Sequence, residues 1–238
     1  MLRKMGEMMG VSEKGSINKL ILWYFADPMC SWCWGFSPVI EGLGHIYRDR
    51  LKVHLVMGGL RPGVREAMTP QLREEILHHW HEVHRRTEQP FLFEGAMREG
   101  FVYDTEPACR AVVAVSEVNA KRGLPYLKRI HSAFYTEQKD VTKGEVLSKL
   151  AEEIGISQND FIQVFHSDQI KLKTREQFQQ TMQMGIRGFP SLILQNGTED
   201  IVITRGYQPL DKLRSVLDHF FLVPVRNQRA DVIVSNGG

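Results

Sequence analysis

Strand signals occur near the two ends of this chain and are missing from the roughly 115 residues between them. Near the start, Lys19–Phe25 (KLILWYF) is a continuous apolar run stopped by Asp27-Pro28, the pattern of a buried strand. Cys30 to about Tyr47 reads as a helix interrupted at Pro38, because a proline inside a helix removes one backbone hydrogen bond. Leu51, Val53, Leu55 and Met57 then alternate as a second strand that ends at Gly58-Gly59. This β-α-β order favours a parallel pair with a right-handed crossover. From about Thr69 to Met184 the chain reads as successive helices. The first opens with Thr69 as cap and Pro70 at the first helical position, a second opens near Thr105 and closes on Gly123, and a later one closes on Gly155. Strand signals return in "PSLILQNG" and its hairpin partner "DIVITRG", followed by a last helix in "QPLDKLRSVLDHFF". The tail "RADVIVSNGG" leaves a further strand open. A helical block of this length is not a loop. The expected organisation is an α/β scaffold split by an all-helical insertion: an extension over 1–17, a first half over 18–62, the insertion over 63–182 and a second half over 183–238.

Composition narrows the function classes. The 238 residues are 42% hydrophobic, enough to build a core without disulfides or metal. With 30 basic and 28 acidic residues the formal charge is +2, which gives no electrostatic footprint for nucleic acid. No apolar stretch has the length of a membrane-spanning helix. The start, "MLRKMGEMMGVSEKGSINKL", has no apolar core or cleavage site of a secretory signal, so the expected location is the reducing cytoplasm. Three cysteines do not make a disulfide framework there.

Two of the three, Cys30 and Cys33, form C-x-x-C where the first strand gives way to the first helix. At a helix N-terminus the orphan N–H groups and the helix dipole favour a thiolate. A second cysteine three residues on shares its face and can attack a mixed disulfide on the first. Cys30 is therefore the candidate nucleophile and Cys33 the resolving thiol. Asp27-Pro28 is itself a good cap and first-turn pair, which would place Cys30 inside the first turn; a turn through Asp27-Pro28-Met29 with the helix starting at Cys30 is the reading preferred. A zinc site would need a second pair of ligands, and there is no second C-x-x-C. Cys109, beside Ala108, Val112 and Val113, reads as a core residue. The segment "HHWHEVH", His78–His84, lacks the H-E-x-x-H spacing and reads as a solvated helix face with no metal. No G-x-G-x-x-G or G-x-S-x-G occurs in a convincing context. Trp32, Trp34 and Phe36 surround the dithiol. Trp32, between the cysteines, is the one expected at the surface as an apolar rim for substrate.

"FADPMCSWCWGFSP" followed far downstream by "GIRGFPSLILQNG" resembles the DsbA-like branch of the thioredoxin superfamily. The tryptophans of "CSWCW", with "GGLRPG" and "TEPACRAV", are most similar to its cytoplasmic, FrnE-like group of predicted protein-disulfide isomerases. The resemblance covers about Ile17 to Phe221. It implies a thioredoxin fold carrying a helical domain between its β-α-β and β-β-α halves. It also implies a cis Phe189–Pro190 peptide opposite the dithiol, with the Phe189 backbone open to pair with an extended substrate. Many DsbA proteins carry a buried acid six residues before the nucleophile; here that position is Tyr24, and Asp27 becomes the candidate proton relay. Ser31-Trp32 between the cysteines brings no positive charge. Net reduction or isomerisation of protein or small-molecule disulfides, with glutathione as a candidate electron donor and no bound cofactor, is the expected activity. Two alternatives stand beside it: a glutathione-dependent transferase or isomerase of the same superfamily, against which Cys33 argues, and a non-enzymatic adaptor or holdase. The sequence gives neither a nucleic-acid nor a membrane partner.

Overall fold

The computed structural model describes residues 20–222 apart from Thr198; the expected 1–17 extension and the tail after Leu222 lie outside the described residues. A four-stranded sheet runs in the order β2-β1-β3-β4, with β1 Leu20–Ala26, β2 Leu51–Met57, β3 Ser191–Asn196 and β4 Glu199–Arg205. β1 and β2 are parallel, Leu20 beside Leu51 through Ala26 beside Met57. β1 and β3 are antiparallel, with Phe25 opposite Ser191, and β3 and β4 form the antiparallel hairpin. The run that reads as continuously apolar is buried on both faces. Leu22, Tyr24 and Ala26 enter the main core, while Trp23 and Phe25 join Val56, Ile186 and Ile193 on the other side.

Helix α1, Ser31–Ile46, is unbroken from one end to the other, which corrects the interruption expected at Pro38. Pro38 cannot donate to the Trp34 carbonyl, and that acceptor instead takes a hydrogen bond from Gln89 Nε2 at 3.2 Å. Between β2 and β3 come α2 Pro70–Thr87, α3 Glu106–Val118, a short 3-10 turn at Ala120–Arg122, α4 Gly123–Glu137, α5 Gly144–Glu153, α6 Gln158–Phe165 and α7 Asp168–Gln183. Thr69 caps α2 by accepting from Leu72 N. Gly123 does not close α3 as expected; with φ −57° and ψ −52° it opens α4, and a Cβ there would lie 2.4 Å from Ser116 Oγ. Helix α8, Leu210–Leu222, closes the fold, burying Leu213 and Leu217 in the main core.

Two close approaches place the site. Gly35 of α1 faces Val83 and Thr87, where a Cβ would lie 2.8 Å from Val83 Cγ1, so the last turns of α2 pack directly onto the first turns of α1. Gly58, just past β2, leaves room for the Phe189 ring, which would overlap a Cβ at 2.0 Å.

Candidate active site

Asp27, Pro28, Met29 and Cys30 form a tight turn in which Cys30 N donates to Asp27 O at 3.1 Å. The Asp27 side chain locks it, Oδ1 accepting from Met29 N at 2.8 Å. Cys30 is thereby the N-cap of α1, with extended backbone (φ −91°, ψ 114°) and no side-chain capping bond. Asp27 is part of the turn and not the helix cap. The Cys30 thiol donates to Phe189 O at 3.5 Å, and 6% of the residue is exposed. Cys33 lies one turn on and is wholly buried; burial first, and the adjacent Cys30 second, push its thiol well above the ordinary range. None of the three cysteines is in a disulfide.

The Phe189–Pro190 peptide is cis. Pro190 O accepts from Gly206 N at 2.7 Å, and Ser191 begins β3 opposite Phe25. The segment facing Cys30 is thus tied to β1 and to the end of β4, and Phe189 O is presented to the sulfur.

Behind the dithiol lies a buried polar group assembled from distant parts of the chain. Asp27 Oδ2 accepts from Leu60 N at 2.7 Å and from the Cys109 thiol at 3.3 Å. The Thr105 hydroxyl, which accepts from Arg61 N, adds another bond to the carboxyl. Burial still dominates and raises the Asp27 carboxyl above its usual range, against four hydrogen bonds that favour ionisation. On the opposite side, His131 of α4 donates through Nε2 to Asp27 O at 3.2 Å, and its Nδ1 is 3.3 Å from Ser37 Oγ. Burial lowers this imidazole to about 4, so near neutrality it is uncharged with the proton on Nε2. The Tyr103 hydroxyl donates to Met29 O and pins the turn from above. Tyr24, at the position of the acid expected in many relatives, has its hydroxyl buried beside Cys33; burial and then the two cysteines hold it well above the ordinary phenol range.

Cys109 is fully buried, as a core residue should be, and its thiol is at the same time a donor to Asp27. Trp34 and Phe36 are buried, Trp34 Nε1 donating to Pro90 O at 2.9 Å, whereas Trp32 is only half-buried. Trp32 meets Tyr207 at 5.9 Å between ring centroids, and the Arg86 guanidinium of α2 lies 5.7 Å and 5.5 Å from these two rings. The histidines of the His78–His84 segment make their contacts away from the dithiol. His81 stacks on Phe93 at 4.0 Å, and His84 Nδ1 bonds to Gln89 O. Among the described residues no cluster of three or more His, Cys, Asp or Glu side chains is arranged to hold a metal. Sequence reasoning missed His131, Tyr103 and Arg86, which carry no local motif, and read Thr105 only as the start of a helix in "TEPACRAV"; packing of the segments around α2, α3 and α4 brings them here.

A sheet of this order, with a dithiol where β1 runs into the first helix and a proline segment facing it, defines a protein of the thioredoxin class. Comparison narrows the class: a family model of the DSBA-like thioredoxin domain matches residues 21–218, and the chain belongs to that family. The solved structure of a candidate protein disulfide isomerase from Nitrosomonas europaea is similar at a TM-score of 0.82 and 47% identity, covering 86% of this chain and 98% of that one. The cytosolic disulfide reductase DsbM of Pseudomonas aeruginosa is similar at 0.72 and 26% identity, covering 86% of this chain and all of that one. Among curated proteins, the ClpXP adapter protein SpxH of Halalkalibacterium halodurans is 22% identical over 185 residues, 76% of this chain; the match spans 60% of that relative's length. Among the described residues no helix is long and apolar enough to cross a membrane.

Proposed function

We propose that the chain is a thiol–disulfide oxidoreductase that reduces or isomerises disulfides through Cys30 and Cys33 in a reducing, cytoplasmic setting. The observation that carries this is the placing of Cys30 Sγ at the mouth of α1, 3.5 Å from Phe189 O, with the buried Cys33 one turn behind. The Cys30 thiolate attacks one sulfur of a substrate disulfide, forms a mixed disulfide and releases the other substrate sulfur as a thiolate. The Phe189 backbone pairs with the extended substrate while Pro190 holds that backbone in place, and Trp32 supplies an apolar edge. Cys33 then attacks Cys30 Sγ, which yields the Cys30–Cys33 disulfide and the second substrate thiol. Because burial keeps Cys33 protonated, this second attack needs a base, and Asp27 takes its proton. Two electrons leave the protein per disulfide reduced; two equivalents of a small thiol such as glutathione return them by the reverse exchange.

Insulin reduction, run with the wild type and with Cys30→Ser and Cys33→Ser, tests the reading. Cys30→Ser abolishes turnover; Cys33→Ser accumulates a mixed disulfide visible by intact mass. Turnover that survives Cys30→Ser overturns the assignment. The similarity to SpxH favours a second reading, an adaptor that binds a client protein without exchange chemistry. It requires that the Cys30→Ser/Cys33→Ser double variant keep the full function in cells, whereas the oxidoreductase loses it.

A further inference from the structure

Arg86 is an exposed cation with no acidic partner among the described residues, and its only contacts of note are the faces of Trp32 and Tyr207. It comes from the last turn of α2, within the helical block, and reaches the sheet side of the molecule because Gly35 lets α2 lie against α1. The two rings belong to the frame of the nucleophile. Trp32 stands between Cys30 and Cys33, and Tyr207 follows Gly206, whose N–H holds Pro190 O at 2.7 Å. A guanidinium held over ring faces by cation–π attraction spends no N–H group on an acceptor and keeps them for a planar anion. Resting on the reading of Cys30 and Cys33 as an exchange site, the geometry points to Arg86 as a carboxylate-recognition element that selects peptide disulfides bearing negative charge close to the reacting sulfur. The dithiol region supplies the chemistry, and the helical block supplies the charge preference that Ser31-Trp32 does not provide.

A different role is available for the same side chain. His84, Arg85 and Arg86 all lie in the last turn of α2, where positive charge favours the helix dipole. That role affects stability and acts alike on every substrate, so a ratio between substrates separates the two. The reduced protein is mixed with glutathione disulfide (anionic), 2-hydroxyethyl disulfide (neutral) or cystamine (cationic), and oxidation is followed by the fluorescence of the tryptophans beside the dithiol. In Arg86→Gln the ratio of the glutathione-disulfide rate to the neutral rate falls about fivefold, the size of one partly exposed ion pair. The ratio for cystamine rises, Arg86→Lys lies between wild type and Arg86→Gln, and the differences shrink at high salt. Lys149→Gln, the same charge change on α5, leaves both ratios at the wild-type value. A ratio in Arg86→Gln equal to that of the wild type overturns the assignment, whatever the variant's stability. Failure of the wild type to react with any of the three disulfides overturns the exchange reading itself and is a distinct result.

Discussion

The Asp27 carboxyl and the His131 imidazole lie on opposite sides of one turn, and burial keeps each of them uncharged more than water would. Their effects on stability have opposite signs. A carboxyl whose folded pKa is raised binds more protons in the folded than in the unfolded chain, so its contribution falls as pH rises from about 4 through its folded pKa. An imidazole lowered to about 4 from about 6.5 binds fewer, so its contribution is full above pH 6.5 and is lost as pH falls towards 4. The histidine alone accounts for about 3 kcal/mol across that interval. Urea midpoints measured from pH 4 to 8 should separate the two. Asp27→Asn steepens the acid-side loss relative to wild type, and His131→Asn removes that loss and leaves a gain on acidification. Parallel profiles for all three proteins would contradict both assignments. Cys109 belongs to the same group. Cys109→Ala deletes a donor to Asp27 Oδ2 and costs about 1 kcal/mol, while Cys109→Ser restores a donor and recovers part of it. Equal losses in the two variants would mean that the thiol contributes only packing.

At the scale of the element, α1 shows how a residue read as a break can be absorbed. Pro38 leaves the Trp34 carbonyl without its helical donor, and the loop after α2 supplies one through Gln89. The Ser37 hydroxyl donates to the adjacent carbonyl, Cys33 O, at 3.2 Å within the same helix, so two consecutive carbonyls of the turn that carries Cys33 take side-chain donors. Gln89→Ala should therefore destabilise by about 1 kcal/mol in the native sequence, because it orphans a carbonyl inside the molecule. Pro38→Ala restores an N–H to that carbonyl. In the Pro38→Ala background the Gln89→Ala loss should shrink, and the double-mutant cycle reports a coupling of about 0.5–1 kcal/mol. Strict additivity in chemical denaturation would show that the Gln89 bond does not stand in for the donor that Pro38 lacks. The loop after α2 thus satisfies a backbone carbonyl of α1, and Trp34 Nε1 of α1 in turn donates to Pro90 O of that loop.

Across the whole molecule, the parts legible in the sequence were those set by neighbours along the chain. β1 announced itself because both faces are buried and its run is unbroken; the dithiol was visible because its chemistry needs a fixed short spacing at a strand-to-helix junction. What stayed hidden depends on contacts between distant segments. Cys109 looked like a core residue, and its burial agrees, but its bond to Asp27 exists only because α3 packs behind the turn. Arg86 and His131 had no local signature at all. The pair Gly58 and Phe189 is the clearest case: Gly58-Gly59 read as ordinary turn chemistry, yet Gly58 is the seat of the ring that fixes the segment facing Cys30. These two residues join the β-α-β half to the β-β-α half, so disturbing them tests whether the site depends on the closure of the sheet. A Cβ at Gly58 would lie 2.0 Å from the Phe189 ring, so the ring has to shift to admit it. Gly58→Ala should therefore cost about 1–3 kcal/mol and lower the rate of disulfide exchange, while alkylation of Cys30 by a small reagent, which needs no docking segment, persists. Phe189→Ala removes the obstructing ring and keeps the peptide backbone proposed to pair with substrate. Combined with Gly58→Ala it should be more stable than the sum of the two single losses, with exchange partly recovered. If the two losses simply add, the Gly58 and Phe189 positions do not act on stability through their mutual contact.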